Sequence, residues 1–266
     1  MPEISKKAAV AKPSALAEDV RVGPFSVIGP EVTIGPGCVV HNNVTILGAT
    51  RIGANCELFP GCVVGIAPDG GMSETGRCVV DSGNVLREHV IIEAGLAGGA
   101  GTHVGPNNLI MVGCQVRHDA HLEGEGIFAN FTCVEAHAHI EKYVRTYGFT
   151  AVKSYATVGA YALTTGYASV ECDVPPYAIV QGLPTQVRSV NSEGLRRCGF
   201  DARTIEAIKA AFRMLFDGRG ALPTPEALEA TERRFDDEHV RYLIECLRRS
   251  AAAPSGRRRQ PVDVQD

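Results

Sequence analysis

The sequence predicts a mainly β protein, a parallel β-helix of hexapeptide repeats followed by a small α-helical C-terminal domain. Three observations predict it. First, every sixth residue from Val10 to Val64 is aliphatic: Val10, Leu16, Val22, Ile28, Ile34, Val40, Ile46, Ile52, Leu58 and Val64. Aliphatics fill about a third of an average chain, so an unbroken run at this spacing is not accidental. Second, small or β-branched residues recur two places before the next aliphatic, as at Ser26, Val32, Cys38 and Val44. Third, the six-residue count stops at Pro175-Pro176, and a helical spacing replaces it beyond Asn191.

Each hexad is one short strand plus a corner, and three hexads close a triangular coil of about 18 residues. The aliphatic points into the prism and stacks on its counterparts in the coils above and below. Gly23, Gly29, Gly35, Gly53 and Gly65 follow the aliphatics. They are expected where the chain turns sharply and φ > 0 is cheap.

The register breaks after Val64. Gly65 to Val79, rich in Gly and polar residues, predicts a protruding loop near residues 66–79. Long loops on rigid scaffolds often carry function, although a solvated insertion would read the same way. The six-residue count resumes at Val80 and runs to Val170, with thirteen of sixteen positions apolar and exceptions at Gly98, Thr146 and Thr164. Gly98 lies in a second excursion, EAGLAGGAGTHVG. The two tracts supply about eight coils.

Beyond Pro176 an extended passage leads to Asn191. A first short helix contains Leu195 and is broken at Gly199. Asp201 suits an N-cap, and Ile205, Ile208, Phe212 and Leu215 approximate a 3.6 period. Pro223 and Pro225 open another helix, and Asp236 to Arg249 makes a last one. The expected organisation is a β-helix over 1–190, helices over 191–252 and a disordered, solvated tail over 253–266.

The chain has 266 residues, a net charge of −4 and 45% apolar composition. That is enough chain to bury a core, and the charge gives no general reason to expect nucleic acid. There is no run apolar enough for a signal peptide or a transmembrane segment. Nine cysteines occur without a C-x-x-C pair, several of them on repeat positions. They fit small buried hydrophobes in a reducing, cytoplasmic setting, not disulfides.

A prism filled with aliphatics has no internal cavity, so a site must lie on an outer face, in a loop or between subunits. Five of the eight histidines crowd into one tract: His103, His118, His121, His137 and His139. His118 and His137 are about one coil apart and should lie nearly above one another. With Asp119 they can build a general base, because imidazole titrates near neutrality. A lone histidine is more often plain surface. Zinc needs three or four convergent ligands. Hexapeptide carbonic anhydrases take two of theirs from histidines four apart, a separation that no pair here has. No metal site is expected.

The segments NNLIMVGCQVRHDAHLEGEGIFAN, DVPPYAIVQG and VNSEGLRRCGF give a closer resemblance. Over roughly residues 10 to 215 the chain resembles the acyl-[acyl-carrier-protein]–UDP-N-acetylglucosamine O-acyltransferase family of lipid A synthesis. The resemblance implies a left-handed helix. It implies transfer of an acyl group, a 3-hydroxyacyl, from the phosphopantetheine thioester of acyl carrier protein to a UDP-N-acetylglucosamine-type nucleotide sugar. It implies no other cofactor, and a site between subunits of a homotrimer. It makes His118 the base, Asp119 its orienting acid and the Ala136 N–H the oxyanion donor. His137 and Asp69 would line the sugar site, and Asn191, Glu193 and Arg197 would contact the nucleotide. Gly166 would border the acyl groove. Asn191 and Glu193 equally fit a helix cap, Arg197 an exposed helix charge and Asp69 a turn before Gly70.

The chain also departs from the family. Gln115 and Lys153 stand where the family carries histidines of the sugar site. Cys198 replaces a second arginine, Glu93-Ala94-Gly95-Leu96 replaces H-R-G-T, and Pro184 replaces the acyl-ruler histidine. The loop keeps Asp69 but lacks the family's Q-D-x-K run. The pattern implies a divergent paralogue with an altered acceptor, acyl chain or donor. The alternatives are a coenzyme A-dependent sugar acyltransferase and a non-catalytic trimeric nucleotide-sugar binder.

Overall fold

The computed structural model describes residues 1–68, 75–216 and 223–261. Among them, three parallel sheets form the walls of a left-handed β-helix. Chain order visits the first, second and third sheet in turn, and each strand pairs with the strand one coil away. Arg21–Val22 pairs with Val39–Val40, which pairs with Glu57–Leu58, always in parallel register. The first sheet holds 11 strands, the second 9 and the third 7. That is about one coil more than the spacing predicts.

The hexad translates directly into this architecture. Most strands are two residues long, one facing out and one facing in. The inward aliphatics Val22, Ile28, Ile34, Val40 and Ile46 are buried, and so are the corner residues Ser26, Val32, Cys38 and Val44. Thr146 and Thr164 also point inward. Their hydroxyls pair with Thr132 at 2.7 Å and Thr150 at 3.0 Å, which satisfies polar groups that burial would otherwise leave costly.

The turning residue is not where the sequence suggests. The left-handed backbone position lies three residues after the inward aliphatic, as at Phe25, Asn43, Asp119, His137, Tyr143 and Tyr161, with φ near +60°. Of the five glycines expected there, only Gly65 has a positive φ. Gly23, Gly35 and Gly53 answer to close approach instead. A Cβ would lie 2.7, 2.9 and 2.5 Å from the backbone of the next coil. Non-glycine residues in this conformation cost about 1–2 kcal/mol each. The corners stack them into ladders that offset the cost, such as Phe131–Phe149–Tyr167 and Tyr143–Tyr161–Tyr177.

The hexad register is interrupted twice, both times at the edge between the second and third sheets. The first is narrower than expected, because pairing continues through Val63–Ile66 and resumes at Arg77–Val80. The second occupies 94–101. Gly98 is therefore an excursion residue, and Val80 pairs with Val104 across it. The two excursions touch through a bridge between Thr75 and Leu96.

The prolines at 175 and 176 do not end the ladder. Ala178–Gln181 still pairs in parallel with Leu163–Thr164, then turns into an antiparallel hairpin with Gln186–Val190. Helices α1 (Ser192–Arg197), α2 (Ala202–Leu215), α3 (Pro225–Arg234) and α4 (Glu238–Ala252) follow. Asp201 caps α2 by accepting the Thr204 N–H at 2.9 Å. Ile205, Ile208, Phe212 and Leu215 form its buried face. All nine cysteines are free. Among the described residues, no helix is long and apolar enough to cross a membrane.

The tail differs from expectation. Within residues 253–261, Arg257 and Gln260 are buried against the prism, while Ser255, Arg259 and Pro261 stay exposed. Arg258 is 5% exposed and pairs with Glu141 at 2.6 Å, and its backbone N–H donates to Asp173 at 2.9 Å. Asp173 also accepts from Ser250 at 2.7 Å and from the Thr157 N–H at 2.8 Å. The arginine run reads as solvent-seeking because its acids lie 85 and more residues away.

Candidate active site

The edge between the second and third sheets carries the candidate residues His118 and Asp119. Strand Gln115–Val116 ends there and His121–Leu122 begins, with His118 and Asp119 on the corner between. Asp119 adopts φ +56° and its side chain is buried. Its carboxylate accepts the N–H groups of Leu96 at 3.1 Å and Gly101 at 2.8 Å, both from the second excursion. Its own N–H donates to Thr102 Oγ1 at 2.9 Å. A Cβ at Gly99 would fall 2.5 Å from Asp119 Oδ1, so the excursion can wrap the carboxylate only as glycine. Burial alone would raise this acid's pKa, but the Leu96 N–H, His118 and the Gly101 N–H together hold it below the ordinary value.

His118 Nδ1 lies 3.0 Å from Asp119 Oδ2. An ionised carboxylate can only accept, so Nδ1 carries the proton and Nε2 keeps the lone pair. The His118 backbone N–H donates to Glu93 at 3.0 Å, and Glu93 also pairs with Arg117 at 3.1 Å. The His118 ring is therefore held through its main chain and through one nitrogen, while the other stays free to take a proton.

One coil on, His137 stands edge-on to His118 with ring centroids 5.3 Å apart, and stacks on Tyr155 at 4.7 Å. Burial lowers the His137 pKa, against the pull of Asp119, and so favours the neutral ring. At the preceding position, equivalent backbone N–H groups stack at His118, Ala136 and Ser154. Glu93 takes the first and Glu135 the third. The Ala136 N–H meets no acceptor among the described residues. A free N–H beside a poised imidazole suits a developing oxyanion.

The remaining expected residues are dispersed. Gln115 is exposed on the face of the second sheet, and Lys153 is exposed on the same edge as His118. Gly166 lies on the edge between the first and second sheets, beside the Phe149–Tyr167 stack, and borders the same face from the other side. Asn191, Glu193 and Arg197 belong to α1, which packs on the third-to-first edge. The buried Asn191 accepts from Gly194 at 3.1 Å and donates to the Tyr161 carbonyl at 2.8 Å, so it caps the helix. Glu193 is exposed and pairs with Arg196 and, at 3.1 Å, with Arg197. Asp69 lies outside the described residues. Three parallel edges of a prism cannot converge, so one chain does not bring all these groups together.

Sequence reasoning missed Leu96 and Gly101, whose contribution is main-chain and leaves no residue-type signal. It also missed a column of imidazoles on the third sheet. His103, His121 and His139 are in register on consecutive coils. Their spacing of one coil was the available signal. His121 is pushed down to about 4 by burial, with His139 and His103 adding to the effect.

The C-terminal part, residues 173–256, matches the family model described as UDP N-acetylglucosamine O-acyltransferase, domain 2. Residues 14–48 match the bacterial transferase hexapeptide model. The chain is 36% identical over 251 residues to the acyl-[acyl-carrier-protein]–UDP-N-acetylglucosamine O-acyltransferase of Thermodesulfovibrio yellowstonii, covering 93% of this chain and 96% of the relative. It is 36% identical over 217 residues to the enzyme of the same name from Synechocystis, covering 81% and 78%. The solved UDP-N-acetylglucosamine acyltransferase of Bacteroides fragilis superposes with a TM-score of 0.87 at 31% identity, covering 92% of this chain and 96% of that one. Fold, repeat, helical domain and relatives thus agree: the chain belongs to the acyl-[acyl-carrier-protein]–UDP-N-acetylglucosamine O-acyltransferase family.

Proposed function

We propose that the protein transfers a 3-hydroxyacyl group from an acyl carrier protein thioester to a hydroxyl of a UDP-N-acetylglucosamine-type nucleotide sugar, in the cytoplasm. The observation that carries this reading is the His118–Asp119 pair, clamped by Leu96 and Gly101, beside the open Ala136 N–H. His118 Nε2 removes the sugar hydroxyl proton as the oxygen attacks the thioester carbonyl. The Ala136 N–H donates to the resulting oxyanion. The intermediate collapses, the carbon–sulfur bond breaks, and the imidazolium returns its proton to the departing thiolate. Asp119 stabilises the imidazolium without taking its proton.

The dispersed edges support a homotrimer. His118 and Gly166 border one face of the second sheet, while Arg197 sits on the opposite edge, so a shared site needs α1 of a neighbouring copy. Arg197 suits the nucleotide phosphates by its fork of donors, and Glu193 now holds that fork. Gln115 and Lys153 are where acceptor preference would be set.

The test is mass spectrometry of the product formed from UDP-N-acetylglucosamine and mixed acyl carrier proteins, with coenzyme A thioesters in parallel. Transfer from the carrier protein alone is expected. His118→Ala should lower turnover ~10²–10⁴-fold with the assembly intact. Unchanged turnover would remove His118 from the reaction.

A further inference from the structure

Along the corner that holds His118, the residue after each inward aliphatic is charged, and the sign alternates. Ile92, Val116, Val134, Val152 and Val170 are in register on consecutive coils. They are followed by Glu93, Arg117, Glu135, Lys153 and Glu171. An acid at this position reaches the backbone N–H two places after the aliphatic of the next coil. Glu93 accepts from His118 at 3.0 Å, and Glu135 from Ser154 at 3.3 Å. Glu141 repeats the contact on the next edge, accepting from Ala160 at 2.9 Å, whereas Glu123 turns to His139 instead. A basic residue leaves the N–H above it open. The Ala136 N–H, one coil beyond Arg117, and the Cys172 N–H, one coil beyond Lys153, meet no acceptor among the described residues. Arginine has donors only, so it cannot fill an N–H. Arg117 is also held back, because its Nε lies 3.1 Å from Glu93 on the preceding coil, away from Ala136.

Given the proposed roles of His118 and Ala136, on which this inference rests, we propose that position 117 sets where the oxyanion hole lies. Arg117 is a positioning residue that keeps the Ala136 N–H open, and an acceptor of glutamate length in its place would close it. The flanking N–H groups at His118 and Ser154 are filled by acids. The other open N–H, at Cys172, lies two coils farther on, about 10 Å away at the usual strand spacing. The alternation of charge thus leaves one donor in reach of the base, and the acyl carbonyl is held in one register along the corner.

The test compares Arg117→Met, Arg117→Gln and Arg117→Glu in the full-length protein, with the melting temperature as the check on folding. All three lose the ion pair with Glu93, so differences among them report the acceptor. Arg117→Glu should lower kcat about 10²–10³-fold, the usual cost of one oxyanion donor, with KM little changed. Arg117→Gln, whose amide oxygen is a weaker, uncharged acceptor, should fall between, and Arg117→Met should lose least. A crystal structure of Arg117→Glu should show the introduced carboxylate within hydrogen-bond distance of the Ala136 nitrogen, a readout independent of turnover. If that variant does not fold, Arg117→Gln against Arg117→Met decides the question by the same two measurements. Equal kcat in the folded variants, or an introduced acceptor turned away from Ala136, would overturn the proposal. His118→Ala run alongside separates the two levels. Full turnover there would refute the base itself, whereas its inactivity beside equal kcat in the Arg117 series would overturn the role of position 117 alone.

Discussion

Asp119 is where fold and chemistry meet in a single residue. It takes the left-handed corner conformation, and its carboxylate is encircled by main chain from a different coil. The glycine at 99 permits that wrapping, since a methyl group there would press on Oδ1. Gly99→Ala should therefore leave the prism intact and lower kcat by up to about 10²-fold, the cost of a displacement of about 1 Å in a catalytic group. Steady-state kinetics with the melting temperature as control will show it, and an unchanged kcat would mean that the excursion yields freely. The His118–Asp119 contact was legible in the sequence because the two residues are adjacent in the chain. The Leu96 and Gly101 donors were not, since any residue supplies an N–H and the stretch has no period. The pairing of His103 with His121 was readable from their one-coil spacing, the same signal that pairs His118 with His137.

Among the elements, the hexad strands followed directly from the sequence, because one inward aliphatic per six residues leaves few alternatives. The corners were misassigned. Glycine suggested turning, but it marks contact between coils, and the turning positions carry Asn, aromatic and His side chains that stack. The tail failed for an electrostatic reason. Three successive arginines are normally solvated, and only the fold places Glu141 and Asp173 together to receive Arg258. Burial raises the Asp173 pKa, against the pull of the Arg258 N–H, Ser250 and the Thr157 N–H, so this acid depends on its partners for its charge. Arg258→Ala should cost about 3–5 kcal/mol, the penalty of leaving buried carboxylates without their cation. Urea unfolding at pH 7 will measure it, and a loss under 1 kcal/mol would mean that water replaces the guanidinium.

For the whole molecule, the separation of His118 from Arg197 on different edges leads to a mixing experiment. If each site draws its base from one copy and its arginine from the next, His118→Ala and Arg197→Ala proteins are each impaired alone. Unfolded together and refolded, they should regain activity, because some assemblies then contain a site with both wild-type residues. No recovery in co-refolded material would place both residues in one chain's own site. The helical domain's place on the third-to-first edge, fixed by Asn191 and the tyrosine ladder, sets this geometry.

The parallel register also makes the scaffold indifferent to length but not to phase. Arg21 stands in line with Val39, so excising Arg21 to Cys38 would join Val20 to Val39 and shorten the column without rotating anything above the cut. Removing a single hexad between His137 and Asn191 would instead swing α1 one edge round the axis relative to the imidazole and carry it away from the surface it shares. Such an 18-residue excision should therefore keep turnover, and a six-residue one between His137 and Asn191 should abolish it even in a well-folded product. Insertions and losses in such a chain are tolerated in whole revolutions, like threads on a screw.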